Sequence, residues 1–290
     1  MRLDGRRQSS NIDDRRGRSG GRGLAVGGGI GAVIVAALIA WISGGNPLDV
    51  VMQNAGTLMG GGSTTEQAYT PTAEEQELAD FTSTILAGTE DVWAEQFRKM
   101  GRTYEPPKLV LFTGSVQSGC GGASSSMGPF YCSADQCVYI DLSFLRDMRQ
   151  TIGAGGDFAY AYVVAHEVGH AVQDQLGILD SAHEQMSRLS EAEANKISVR
   201  LELQADYLAG MWAHHDNRMF GSIEPGDVNE ALDAALKIGD DYLQKKAQGY
   251  AVPESFNHGT SAQRSRWLRK GIENGTLDGA DTFSPSYSSL

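Results

Sequence analysis

His166-Glu167-Val168-Gly169-His170 lies in an otherwise uncharged run, Val163 to Val172 (VVAHEVGHAV), in a chain of 290 residues that holds only six histidines. On a helix, residues four apart share a face, so both imidazoles can reach one metal ion. Glu167 projects beside them, where a carboxylate can take a proton from a water that the metal activates. The plainer reading is a buried helix that happens to hold two histidines. Further residues must decide between the two.

A hydrolytic zinc site uses three protein ligands and keeps one position open. The metzincin continuation, His-x-x-Gly-x-x-His, is excluded because Gln173 and Leu176 stand where Gly and the third His belong. A gluzincin takes a Glu from a later helix in the pattern Glu-x-x-x-Asp. Glu202-Leu203-Gln204-Ala205-Asp206 fits, whereas Glu184, Glu191 and Glu193 lack an Asp four residues on. Glu202 and Asp206 are a like-charge i,i+4 pair among Leu201, Leu203, Ala205 and Leu208, so both carboxylates need partners. A metal for Glu202 and the outer N–H of a metal-bound histidine for Asp206 would supply them.

Other blocks carry a broader likeness. Met1–Gly17 contains Gly5-Arg6-Arg7 and Asp13-Asp14-Arg15-Arg16-Gly17, Cys120–Asp141 reads CGGASSSMGPFYCSADQCVYID, and His258-Gly259-Thr260-Ser261 lies near the end. With the histidine helix and Glu202–Asp206, these blocks run in order through most of the chain. In this the chain resembles the bacterial neutral zinc metallopeptidase family. The resemblance implies a gluzincin-type zincin fold, one zinc ion per chain held by His166, His170 and Glu202, and peptidase activity with Glu167 as general base. It names no substrate beyond a peptide or protein. The expected fold class is therefore α+β: a mainly helical zincin-like domain with a small β-sheet, preceded by one transmembrane helix.

His258 is the one histidine after residue 215. In gluzincins a late histidine can stabilise the oxyanion of the tetrahedral intermediate, which makes His258 a catalytic candidate; the alternative is a ring that merely pins its loop. A bridge between Cys120 and Cys132 would close a short Gly- and Ser-rich segment. The resemblance implies that pair, with Cys137 an addition to the pattern that competes for Cys132. A zinc knuckle fails on cysteine spacing and on the odd count of three.

Residues 1–23 hold seven Arg and three Asp, a balance of +4 against −12 for the whole chain, leaving −16 for the remainder. So acidic a body argues against nucleic acid as a partner. The opening reads as a disordered, cytoplasmic basic tail. Leu24–Ile42 (LAVGGGIGAVIVAALIAWI) is a 19-residue apolar stretch ending near Trp41. It is about 28 Å long as a helix, enough for a hydrocarbon core. A cleaved signal peptide is the rival, but the stretch exceeds a usual h-region and no Ala-x-Ala site follows. The expected organisation is a transmembrane signal anchor over 24–43, a flexible linker over 44–71, the peptidase domain over 72–276 and a loose Ser-rich tail over 277–290. The Arg-rich side would stay in the cytoplasm, with the catalytic domain outside the cell membrane.

Within the domain the patterns predict a helix over Ala73–Met100, whole or broken at Gly88, and strands at Lys108–Thr113 and Val138–Leu142. Helices follow at Asp157–Gln175, Glu184–His215, Val228–Gln248 and Ser261–Gly271, the last capped by Thr260. Val138–Asp141 or its neighbour is a candidate shelf for an extended substrate, with simple core packing as the other reading. Two other functions stay open: a zinc-stabilised scaffold without activity, and a zinc amidase acting on cell-wall peptides.

Overall fold

The structure, a computed structural model, describes residues 1–17 and 69–290. In chain order its elements are β1 (Ile12–Asp14), α1 (Ala73–Lys99), β2 (Lys108–Phe112), β3 (Ser115–Ser118), β4 (Gly121–Ser124), β5 (Phe130–Cys132) and β6 (Cys137–Asp141). There follow α2 (Leu142–Asp147), α3 (Asp157–Gln175), α4 (Ile178–Met186), α5 (Glu191–Phe220), α6 (Asp227–Lys237), α7 (Asp240–Gln248) and α8 (Ser261–Asn274). The fold is α+β and mainly helical, as expected. No helix among the described residues is long and apolar enough to cross a membrane. The expected membrane segment over 24–43 and the linker up to residue 68 lie outside the described residues.

Helix α3 has the predicted bounds and is apolar around most of its girth, so it is buried by α1, α5 and α6 together. Its contact with α5 is close: a Cβ on Gly169 would lie 3.1 Å from the Ala205 carbonyl. Helices α5 and α8 approach still nearer. A Cβ on Gly271 would fall 2.0 Å from the Tyr207 carbonyl, and one on Gly210 2.3 Å from that of Leu268. Side chains at either position would push the helices apart. Backbone contact along α3, α5 and α8 brings three distant stretches of sequence to one point.

The main sheet runs β1-β2-β6-β5, parallel except for the antiparallel β5–β6 pair; β3 and β4 form a separate hairpin. Strand β6 is therefore interior and cannot serve as the substrate shelf; its neighbour β5 is an edge strand among the described residues. Cys120 and Cys132 are bonded, with their Cα atoms 5.9 Å apart, which ties the β3–β4 hairpin to that edge. Cys137 faces Cys132 across the β5–β6 register but remains a thiol, donating to the Asp135 carbonyl.

Both ends of the chain depart from expectation. Residues 1–17 are an ordered arm rather than a disordered tail. Ile12–Asp14 pairs with Leu109–Leu111, and Arg6 grips Asp216 through two bonds of 2.7 and 2.9 Å. Arg7 reaches Glu90 and Asp91, and Arg16 bonds the Glu75 carbonyl at 2.9 Å. The arginines thus neutralise acids of the body, which composition alone does not reveal. The 277–290 segment is packed too: Arg200 donates to the carbonyls of Thr282, Phe283 and Pro285, and Leu290 is buried.

Smaller differences have local causes. α1 is one continuous helix with Thr72 and Glu75 as a capping box, and Gly88 does not break it. A Cβ there would lie 2.5 Å from Arg6 Nη2, so this glycine makes room for the arm's ion pair. The predicted 184–215 helix divides into α4 and α5, the latter running on to Phe220, while 228–248 divides at Gly239 into α6 and α7.

Candidate metal centre and cleft

His166 and His170 project from one face of α3, and α5 lays Glu202 across them. His166 Nε2 is 3.2 Å from Glu202 Oε2, and His170 Nε2 is 3.5 Å from Oε1. One donor atom from each of the three residues lies within 4.8 Å of the others. The rings stand edge to face, 4.9 Å apart at 88°. Two imidazole nitrogens and one carboxylate converging on a point suit zinc, which takes such mixed N/O sets and leaves its fourth position to water. The donor set therefore fits the ion that the motif implies.

Each histidine is held from behind. His166 Nδ1 is 2.9 Å from Asp206 Oδ1. That aspartate is fully buried and has further partners: Tyr162 donates to it at 2.6 Å, and Arg264 reaches both of its oxygens at 2.9 Å. Behind His170, its Nδ1 lies 2.8 Å from Gln173 Oε1.

The electrostatics follow from this packing. Burial alone would raise the Asp206 pKa, but Arg264 and His166 outweigh it and hold the carboxyl down at about 2. Burial alone would lower His166, yet Asp206 and Glu202 push it up to about 10. Glu202 is also kept well below the usual carboxylate range, its burial overcome by His170, His166 and His258. Asp206 is thus ionised across the neutral range.

Glu167 lies with the three converging residues on a cleft of about 500 Å³. Its apolar lining includes Met127, Phe130, Phe144, Met148, Leu179 and Leu201. His258 lines it as well. Asp240 Oδ2 accepts from the backbone N–H groups of His258 and Gly259 at 2.8 and 3.0 Å, and its Oδ1 is 3.2 Å from His258 Nδ1. Burial lowers the His258 pKa, but Asp240 overcomes it and the net shift is upward. The structure therefore brings Glu167, His258, His166, His170 and Glu202 to one cleft, with Asp206 behind it.

Sequence reasoning missed Arg264, Tyr162, Gln173 and Asp240. Arg264 left a signal. It falls in register with Trp267, Leu268 and Gly271 on the buried stripe of α8, and a lone cation there implies a buried anion. Tyr162 and Gln173 stand four before His166 and three after His170, on the same face of α3. Asp240 left none, because it precedes its partner by 18 residues across a helix and a loop.

A family model described as "Putative neutral zinc metallopeptidase" matches residues 1–283. The uncharacterized protein YpfJ of Escherichia coli K12 is 47% identical over 293 residues, covering 99% of this chain and all of that protein. The uncharacterized protein Rv2575 of Mycobacterium tuberculosis H37Rv is 41% identical over 191 residues, 62% of this chain and 64% of its own. No solved structure matches the chain.

Proposed function

Because the chain belongs to the neutral zinc metallopeptidase family, we propose that it is a zinc-dependent endopeptidase acting on extended polypeptide. The observation that carries this reading is the convergence of His166, His170 and Glu202 beside Glu167 in one cleft. His166, His170 and Glu202 would hold the zinc ion, which would supply an acidified water and polarisation of the scissile carbonyl. Glu167 takes the proton of the attacking water and delivers it to the leaving amine. Asp206 accepts from His166 Nδ1 and so directs Nε2 toward Glu202. His258 has Nδ1 turned to Asp240, and its raised pKa favours a protonated ring that donates to the developing oxyanion.

Extended substrate fits the edge strand β5, whose Phe130 and Tyr131 line the cleft. The apolar walls suit large apolar side chains next to the scissile bond. A scaffold without activity has no use for Glu167, since a structural zinc site needs no general base. The test is zinc content per protomer in wild type and Glu202→Ala, paired with hydrolysis of casein and of cell-wall peptides. We expect about one zinc and casein turnover in wild type, and loss of both in the variant. A wild type that binds no zinc, or that cuts only cell-wall peptides, overturns the reading.

In this reading the apolar stretch Leu24–Ile42 gives the chain a membrane partner. We further infer that Met1–Gly17 and the metal domain lie on the same side of that membrane, so that the stretch would contact it without a single crossing, in place of the expected division between cytoplasm and exterior. The support is the pairing of β1 with β2 and the buried Arg6–Asp216 contact, which bind the arm to the domain. Gly17 also lies against Tyr69, so the residues on either side of the undescribed stretch 18–68 are neighbours on the domain. The test labels Gln8→Cys and Tyr250→Cys, in a Cys137→Ser background, with an impermeant maleimide on sealed vesicles. Both sites should react from one side; reaction from opposite sides refutes the placement.

A further inference from the structure

Gln173 makes three hydrogen bonds while completely shielded from solvent, and their directions are forced. The Ala280 carbonyl can only accept, so Gln204 presents Nε2 to it at 2.9 Å. That leaves Gln204 Oε1 facing Gln173, which must donate with its own Nε2, at 3.0 Å. The same Nε2 donates to the Leu201 carbonyl at 2.8 Å. Both amide protons of Gln173 are then spent, and Oε1 is the atom left for His170 Nδ1, 2.8 Å away. An oxygen there can only accept, so His170 must carry a proton on Nδ1, and in the neutral ring Nε2 is the lone-pair nitrogen, on the side of Glu202.

The geometry points to Gln173 as a positioning residue that fixes the tautomer and ring orientation of His170 for metal binding, with Gln204 and Ala280 setting the amide's direction. This rests on the reading of His170 as a metal ligand. It also makes the two histidines unlike: His166 is backed by a carboxylate and His170 by a neutral amide. The amide has a second effect. Leu201 immediately precedes Glu202, so the bond to its carbonyl ties α3 to α5 next to the third ligand. The relay ends in the segment after α8, which therefore contributes to the metal centre without touching it.

The test is zinc affinity, measured on the full chain by competition with a chromophoric chelator. Gln173→Met fills similar volume but offers His170 no acceptor, and should bind zinc about 10- to 100-fold more weakly, as loss of such outer partners does. Gln204→Met should weaken binding in the same direction by a smaller factor. Gln96→Met makes the same change at a buried glutamine on α1 away from the cleft, and should leave affinity unchanged. Gln173→Met with wild-type affinity overturns the relay while leaving the metal reading intact. A wild type without zinc affinity ends both. Should Gln173→Met fail to fold, the zinc-loaded wild type still decides: two-bond proton–nitrogen spectra of its histidines must show His170 protonated at Nδ1, and a metal on Nδ1 refutes the assignment.

Discussion

Glu167→Gln is expected to keep its zinc and lose about 10²- to 10⁴-fold in peptide hydrolysis, the usual range for a positioned proton-transfer group. The substitution preserves size and leaves one oxygen in place, so packing on α3 should not change. Glu167 is not among the three residues whose donor atoms converge, which is why metal content should be unaffected. What disappears is a basic oxygen that can take a proton from water and return it to an amine. Metal per protomer by atomic spectroscopy, alongside turnover of a casein-type substrate, separates these two effects. Unchanged turnover removes Glu167 from the chemistry, and parallel loss of zinc makes it part of the metal's support instead.

The legible parts of this molecule are those whose physics is local. His166 and His170 are one turn apart on one helix, and the bounds of α3 follow from its apolar run and flanking glycines. Thr260 is readable as a cap because a capping box needs only Gln263, three residues on. Glu202 was found by eliminating other glutamates, a weaker route that still needs only its own helix. The Cys120–Cys132 bond was reached through likeness to a family, since three cysteines do not fix their own pairing.

What the sequence hid depends on contacts between remote segments. The Arg-rich opening has the composition of a solvated tail, yet Arg6 meets Asp216, 210 positions away. Gly88 looks like a helix breaker until that pair is seen beside it. The Ser-rich ending is held by Arg200, whose own helix gives no hint of carbonyls waiting to accept. Asp206 was expected to orient a histidine. That it also needs Arg264 follows only from the near contact of α5 and α8, which the glycines permit but do not announce.

Arg264→Met is expected to be the most destabilising single change at this site. Asp206 is fully buried, and Arg264 donates to both of its oxygens. Removing one member of a buried ion pair costs about 3–5 kcal/mol, mostly from the charge left behind. Arg264→Lys should recover only part of this, because an ammonium cannot span both oxygens as a guanidinium does. Adding Asp206→Asn to Arg264→Met removes the stranded charge, so folding stability should rise again relative to the single variant. Zinc affinity should not follow. The asparagine carries no charge to set against His166 Nδ1, and the double variant should bind metal at least as poorly as Arg264→Met. Urea denaturation of the metal-free proteins gives the first quantity, and chelator competition the second. Recovery of stability without recovery of affinity separates the two roles of this aspartate, as counter-ion to Arg264 and as support for His166. If both return together, Asp206 acts on the metal site only through the fold.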